Sequence, residues 1–160
     1  MLQWADVLND KSLQNLSYKI ELDALGRIVM TPASNQHALY QGEISGLLKQ
    51  LVSGGQVLTE CSIATIDGVK VADVAWASTA FIKKHRNETP FSAAPEICVE
   101  VTSPSNSRRE IEEKIAGYLA KGAREVWVCD AKGKLVFHDH TGTMKKSILA
   151  PRFPNKITIG

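Results

Sequence analysis

At 160 residues, with 44% apolar and 22% charged content, the chain has room for one hydrophobic core and the composition of a globular protein. A formal charge of +2 does not by itself announce nucleic acid, although clustered basic residues can still make a local patch. No apolar run reaches spanning length, and the start lacks a basic and an apolar export segment, so the expectation is a cytoplasmic protein without a membrane span.

Leu2 to Leu8 predicts a short amphipathic helix with Trp4, Val7 and Leu8 as its apolar side. Tyr18 to Leu22 and Arg27 to Met30 read as a hairpin that Thr31-Pro32 ends. Ser34 or Asn35 then caps a helix running to about Val52, expected to bury Ala38, Leu39, Ile44, Leu47, Leu48 and Leu51. Val57 to Ala64 and Val69 to Ala77 are expected strands joined by a turn at Ile66-Asp67-Gly68. Phe81 to Pro95 reads as a polar connection carrying Lys83, Lys84, His85 and Arg86.

The stretch from Glu96 to Gly122 organises the rest. Ile97, Val99 and Val101 alternate with Cys98, Glu100 and Thr102 at the period of two of a pleated strand. Ser-Pro-Ser-Asn breaks it. Ser107 and Glu110 have the spacing of a capping box, which starts a helix with an apolar stripe at Ile111, Ile115, Tyr118 and Leu119. Gly122 stops that helix. Arg124 to Cys129 predicts a buried strand, Lys134 to His138 its hairpin partner, and Met144 to Leu149 a further short strand. Strand, helix, strand favours a parallel pair, and the hairpins favour antiparallel ones. The expectation is a single α/β domain over 1–160, a mixed sheet with helices packed on it. Cys61, Cys98 and Cys129 lie in apolar strand-like runs without Cys-x-x-Cys spacing, so buried reduced thiols are expected.

Three carboxylates stand inside strands: Glu60, Asp73 and Glu100. An ionised carboxylate among apolar neighbours is costly unless a cation or several donors compensate it. If the strands are neighbours, the oxygens meet at one place, and two carboxylates ~5 Å apart repel by roughly 3 kcal/mol at an effective dielectric of about 20. A hard divalent cation such as Mg²⁺ removes that penalty and activates water for phosphoryl chemistry. Singly, each acid is better explained by protonation, a Lys or Arg partner, or an exposed edge; three on adjoining strands favour the metal site. Lys114 falls beside the apolar stripe of its helix, where its ammonium can either reach that site or pair with Glu110.

The pattern of an in-strand Asp, a Glu in the next strand and a helix carrying Lys resembles the PD-(D/E)XK nuclease superfamily with its restriction-endonuclease-like fold. More closely, residues 26–37, Val71 to Trp76, Cys98 to Ser107 and Lys114 to Trp127 resemble the Uma family, endonuclease-like proteins abundant in cyanobacteria. The likeness extends to Phe153-Pro154. It implies a restriction-endonuclease-like sheet with an extra N-terminal hairpin and C-terminal strands. It also implies a Mg²⁺-dependent (or Mn²⁺-dependent) nucleic-acid endonuclease, DNA being favoured as substrate over RNA, with Asp73 and Glu100 as metal ligands and Glu60 as an additional acid. Two positions depart from the superfamily pattern. Ala72 stands where it has Pro, and Thr102 stands where it has Lys, a role the superfamily can move to the following helix and hence to Lys114. A catalytically silent nucleic-acid-binding or regulatory module on the same fold is the alternative. A symmetric homodimer is the default assembly.

Other features carry less. His37 is expected to cap or half-bury at its helix start. His138 and His140 flank Asp139 without a third ligand in view. Lys83, Lys84, Arg86, Arg108 and Arg109 either hold a phosphate backbone or are solvated charge.

Overall fold

The structure, a computed structural model, describes residues 1–160. In chain order its elements are α1 (Trp4–Asn9), β1 (Tyr18–Leu22), β2 (Ile28–Pro32), α2 (Asn35–Leu51), β3 (Gly55–Thr65), β4 (Gly68–Ser78) and α3 (Thr79–His85). Then follow β5 (Ile97–Val101), α4 (Arg108–Ala120), β6 (Glu125–Cys129), β7 (Leu135–Asp139) and β8 (Gly142–Met144). Strands β3 to β8 pair in sequence order in one sheet, and β1 and β2 form a separate two-stranded ribbon. All neighbours are antiparallel except β5 and β6, the pair that α4 connects. This is the mixed α/β sheet flanked by helices that the sequence predicts, with the extra N-terminal hairpin in place.

Two apolar layers sandwich the sheet. On one face Tyr40, Ile44 and Leu48 of α2 pack on Val74, Val99 and Trp127, with Phe153 closing against Trp127 at 4.6 Å between ring centroids. On the other, Tyr118 of α4 packs with Ala75, Cys98 and Val126. Because helices cover both faces, all five residues of β5 are buried, and its alternation carries no solvent side. The three cysteines are free and buried; burial pushes the Cys61 thiol up to about 12.

Helix ends follow the sequence closely. The Ser34 hydroxyl accepts from the His37 N–H, and Ser107 and Glu110 form the predicted capping box. Elsewhere the prediction needs correction. Tyr40 replaces Ala38 and Leu39 on the buried side of α2, and Leu39 is 54% exposed, because the Tyr40–Ile44–Leu48 spacing of four sets the packed stripe. The first turn of the 81–95 connection is helical, not loop: Ser78 accepts from the Phe81 N–H, and Phe81 stacks on His85 at 4.4 Å. The strand expected at 144–149 stops at Met144. Buried Glu125 takes the backbone N–H groups of Ile148 and Leu149 and the Ser147 hydroxyl, so no strand can use them.

Candidate active site

Asp73 and Glu100 come together through strand register. Trp76, Ala75 and Val74 of β4 face Ile97, Cys98 and Val99 of β5, so one more step sets Glu100 opposite Asp73. On the other flank Thr59 faces Val74 and Cys61 faces Ala72, which sets Glu60 opposite Asp73 as well. The three acids therefore occupy one row across three adjoining strands. The row is not a regular ladder. Glu60 has a left-handed backbone (φ 54°), unusual for a residue with a Cβ. Both strands also shift phase there, since Leu58 and Cys61, and likewise Ala72 and Ala75, pack in the same apolar cluster. The outcome separates the acids. Asp73 and Glu100 are 0% and 5% exposed, whereas the Glu60 side chain lies out at the rim and accepts from Gln41 Nε2 at 2.9 Å.

Each buried acid has one oxygen fixed by the protein and one turned toward a shared point. Asp73 Oδ2 accepts from the Val101 N–H at 2.7 Å, and Glu100 Oε1 accepts from the Tyr118 hydroxyl at 2.7 Å. The other two oxygens, Asp73 Oδ1 and Glu100 Oε2, converge on the Lys19 ammonium at 3.1 and 2.9 Å. His37 Nε2 lies 3.2 Å from Asp73 Oδ1, and Lys114 Nζ lies 3.3 Å from Glu100 Oε2 and 3.0 Å from Glu21 Oε2. Glu21 is itself tied to the sheet by the Val71 N–H at 2.7 Å.

The surroundings drive the two acids apart. Burial would raise Asp73, but Lys19, His37 and the Val101 N–H outweigh it and hold the carboxyl at about 2. Glu100 is raised, chiefly by burial and further by Asp73 and Glu21, against the pull of Lys114 and Lys19. Burial works to lower Lys19, yet Glu100, Asp73 and Glu21 hold its ammonium well above the ordinary lysine range.

Lys114 thus reaches the site and does not pair with Glu110. Lys19 and Glu21 of β1 belong to the same cluster, and nothing in the sequence read above singles them out. Their signal was local but mute: strand spacing puts both on one side of the ribbon, away from Tyr18, Ile20 and Leu22. His37, expected to cap or half-bury, is half-buried with its ring on Asp73, and Ser34 supplies the cap. Arg108 and Arg109 pair instead with Glu112 and Glu113 on the solvent side of α4, and neither they nor Lys83, Lys84 and Arg86 line the groove around the acids.

That groove has a volume of about 1320 Å³, between the β1–β2 ribbon and the turn leading into α4. Six carboxylates line it against three lysines, Lys19, Lys70 and Lys114. No three acidic, imidazole or thiol side chains form a ready-made metal cage. The pair Asp73 and Glu100 nevertheless fits a hard cation. Asp73 Oδ1 and Glu100 Oε2 already share one positive centre, with His37 and Lys114 beside them, and Mg²⁺ commonly takes one or two carboxylates and keeps water or phosphate for the rest.

Comparison with known proteins agrees with this architecture. No curated protein matches the sequence. Among solved structures, the chain resembles a crystal structure described as a "putative nuclease belonging to DUF820" from Anabaena variabilis. The TM-score is 0.67 at 19% identity, over 78% of this chain and 74% of that one. At that identity the likeness establishes the fold. The family model Uma2, described as "Putative restriction endonuclease", matches residues 4–151. The chain belongs to the Uma2 family.

Proposed function

We propose that this chain is a divalent-metal-dependent endonuclease that hydrolyses phosphodiester bonds of DNA in the groove around Asp73 and Glu100. The observation that carries the reading is the split between anchored and offered oxygens. Val101 and Tyr118 hold one oxygen of each acid, which leaves Asp73 Oδ1 and Glu100 Oε2 aimed at one cation. The groove supports a polymer substrate, since its roughly 1320 Å³ exceeds the size of most small-molecule pockets. Its excess of carboxylates would repel a phosphate backbone unless a cation offset them.

Asp73 and Glu100 would hold Mg²⁺ or Mn²⁺, with Glu60 as an additional acid at the rim. Such an ion, when bound, supplies an activated water at neutral pH and stabilises charge on a transferring phosphoryl group. The chain's own groups do the rest. Lys114, with its stem along α4, neutralises charge on the scissile phosphate from the side of Glu100. This replaces the lysine that Thr102 lacks. Tyr118 keeps Glu100 from rotating, and the Val101 N–H does the same for Asp73. A homodimer would offer two grooves to the two strands of a duplex, and sedimentation of the purified chain checks it.

One observation favours a second reading, a nucleic-acid-binding module without catalysis: the Lys19 ammonium fills the point between the acids. Nicking of supercoiled plasmid by purified protein in Mg²⁺ separates the two. The endonuclease reading expects nicking that falls ~100-fold or more in Glu100→Gln and in Asp73→Asn. Binding of DNA with no nicking in either metal supports the silent module.

A further inference from the structure

We propose that Lys19 is an exchangeable counter-cation: its ammonium holds the position that a divalent ion takes between Asp73 and Glu100, so a residue of the β1–β2 ribbon sets the divalent affinity of the site. The inference rests on the metal-binding reading above. Three observations support it. First, the two oxygens that the Val101 N–H and Tyr118 leave unanchored are the two that Lys19 bridges, at 3.1 and 2.9 Å, with His37 and Lys114 beside them. A doubly charged ion and an ammonium cannot share those oxygens without strong repulsion at that range.

Second, charge balance favours exchange over addition. Glu21, Asp73 and Glu100 carry three negative charges against the two ammonium groups of Lys19 and Lys114, leaving one negative charge when His37 is neutral. A divalent ion in place of Lys19 balances the three acids with nothing left over. Added beside Lys19, it would leave a buried excess of positive charge.

Third, Lys19 can move without disturbing the sheet. It sits on a ribbon that shares no strand pairing with the six-stranded sheet, and its flexible four-carbon stem opens onto the groove. Glu21, two residues on, stays anchored by the Val71 N–H and by Lys114, so the ribbon remains docked when the ammonium swings out. The released ammonium still lines the groove, where rim carboxylates or a nucleic-acid phosphate can receive it. Lys19 thus protects the acids from mutual repulsion while the metal is absent and turns toward substrate once it arrives.

Calorimetric titration with Mg²⁺ alone tests this on wild type, Lys19→Met and Lys19→Arg. Lys19→Met keeps the stem without the charge and is expected to bind Mg²⁺ at least about tenfold tighter than wild type, with Lys19→Arg within about threefold of wild type. A second measurement needs no variant: labelling of wild-type amines by an acylating reagent, read residue by residue by mass spectrometry. Lys19 labelling is expected to rise about fivefold or more at saturating Mg²⁺, while exposed Lys49 on α2 stays constant. The labelling result stands even if Lys19→Met fails to fold. Mg²⁺ binding of equal strength in wild type and Lys19→Met, with Lys19 labelling unchanged, would overturn the exchange and leave the metal site standing. Absence of Mg²⁺ binding in all three proteins would overturn the metal site itself, and the exchange with it.

Discussion

Tyr118 contributes its ring to the core and its hydroxyl to Glu100, and the two roles can be separated. Tyr118→Phe keeps the ring but leaves Glu100 Oε1 buried without a donor, a loss of about 1–3 kcal/mol that urea unfolding will read. His37 has a pH signature. The Asp73 hydrogen bond raises its pKa, burial opposes, and the Asp73 charge adds to the rise. Folding therefore takes up a proton at this ring. The stabilisation is complete below the unfolded value, near 6.5, and is lost as pH rises through the raised folded value. In metal-free protein the stability advantage of wild type over His37→Gln is expected to narrow as the pH is raised from about 6.5 through the raised folded value. Asp73 and Glu100 were legible in the sequence because an acid inside an apolar strand already demands a partner. The partner was not legible, because Lys19 lies 54 and 81 residues away from the two acids it bridges and only tertiary docking joins them.

The docking of the β1–β2 ribbon is an element-scale event, and beside the Glu21 anchor it needs one glycine. Gly68 opens β4 with φ 101°, and a Cβ there would collide with the carbonyl of Leu22 and the backbone of Asp23 at the end of β1. Gly68→Ala should therefore cost roughly 2 kcal/mol or more, through both the left-handed backbone and the clash. The loss should appear as a lower melting temperature together with weaker protection of Lys19 from acylation. The start of α4 is a milder case, where Ser107→Ala removes half of the capping box and should cost about 1 kcal/mol. Helix starts of this kind were readable because the cap and its partner lie three residues apart. The phase shift at Glu60 and Asp73 was not, since strand periodicity assumes an even pleat. Nor was the end of β8, which depends on Glu125 drawing in the 147–149 backbone from across the fold.

At the scale of the whole molecule, the sheet brings β4 and β5 side by side, the ribbon and α4 flank them, and all four deliver charge to one groove. No helix of the fold is long and apolar enough to cross a membrane. The mixed sheet followed from local order alone, because its six strands pair in the sequence in which they occur. The groove did not, since its walls come from the first and second halves of the chain. If the acids hold a divalent ion, saturating Mg²⁺ at about 100 times its dissociation constant stabilises the fold by about 2.7 kcal/mol. Thermal melts should then rise by several degrees in wild type and not in Asp73→Asn. The most direct test is a crystal soaked in Mn²⁺ and measured at the manganese edge. The account predicts one anomalous peak bonded to both Asp73 Oδ1 and Glu100 Oε2, with the Lys19 ammonium displaced into the groove. A saturated crystal with no peak between those oxygens, and Lys19 still bridging them, would contradict it.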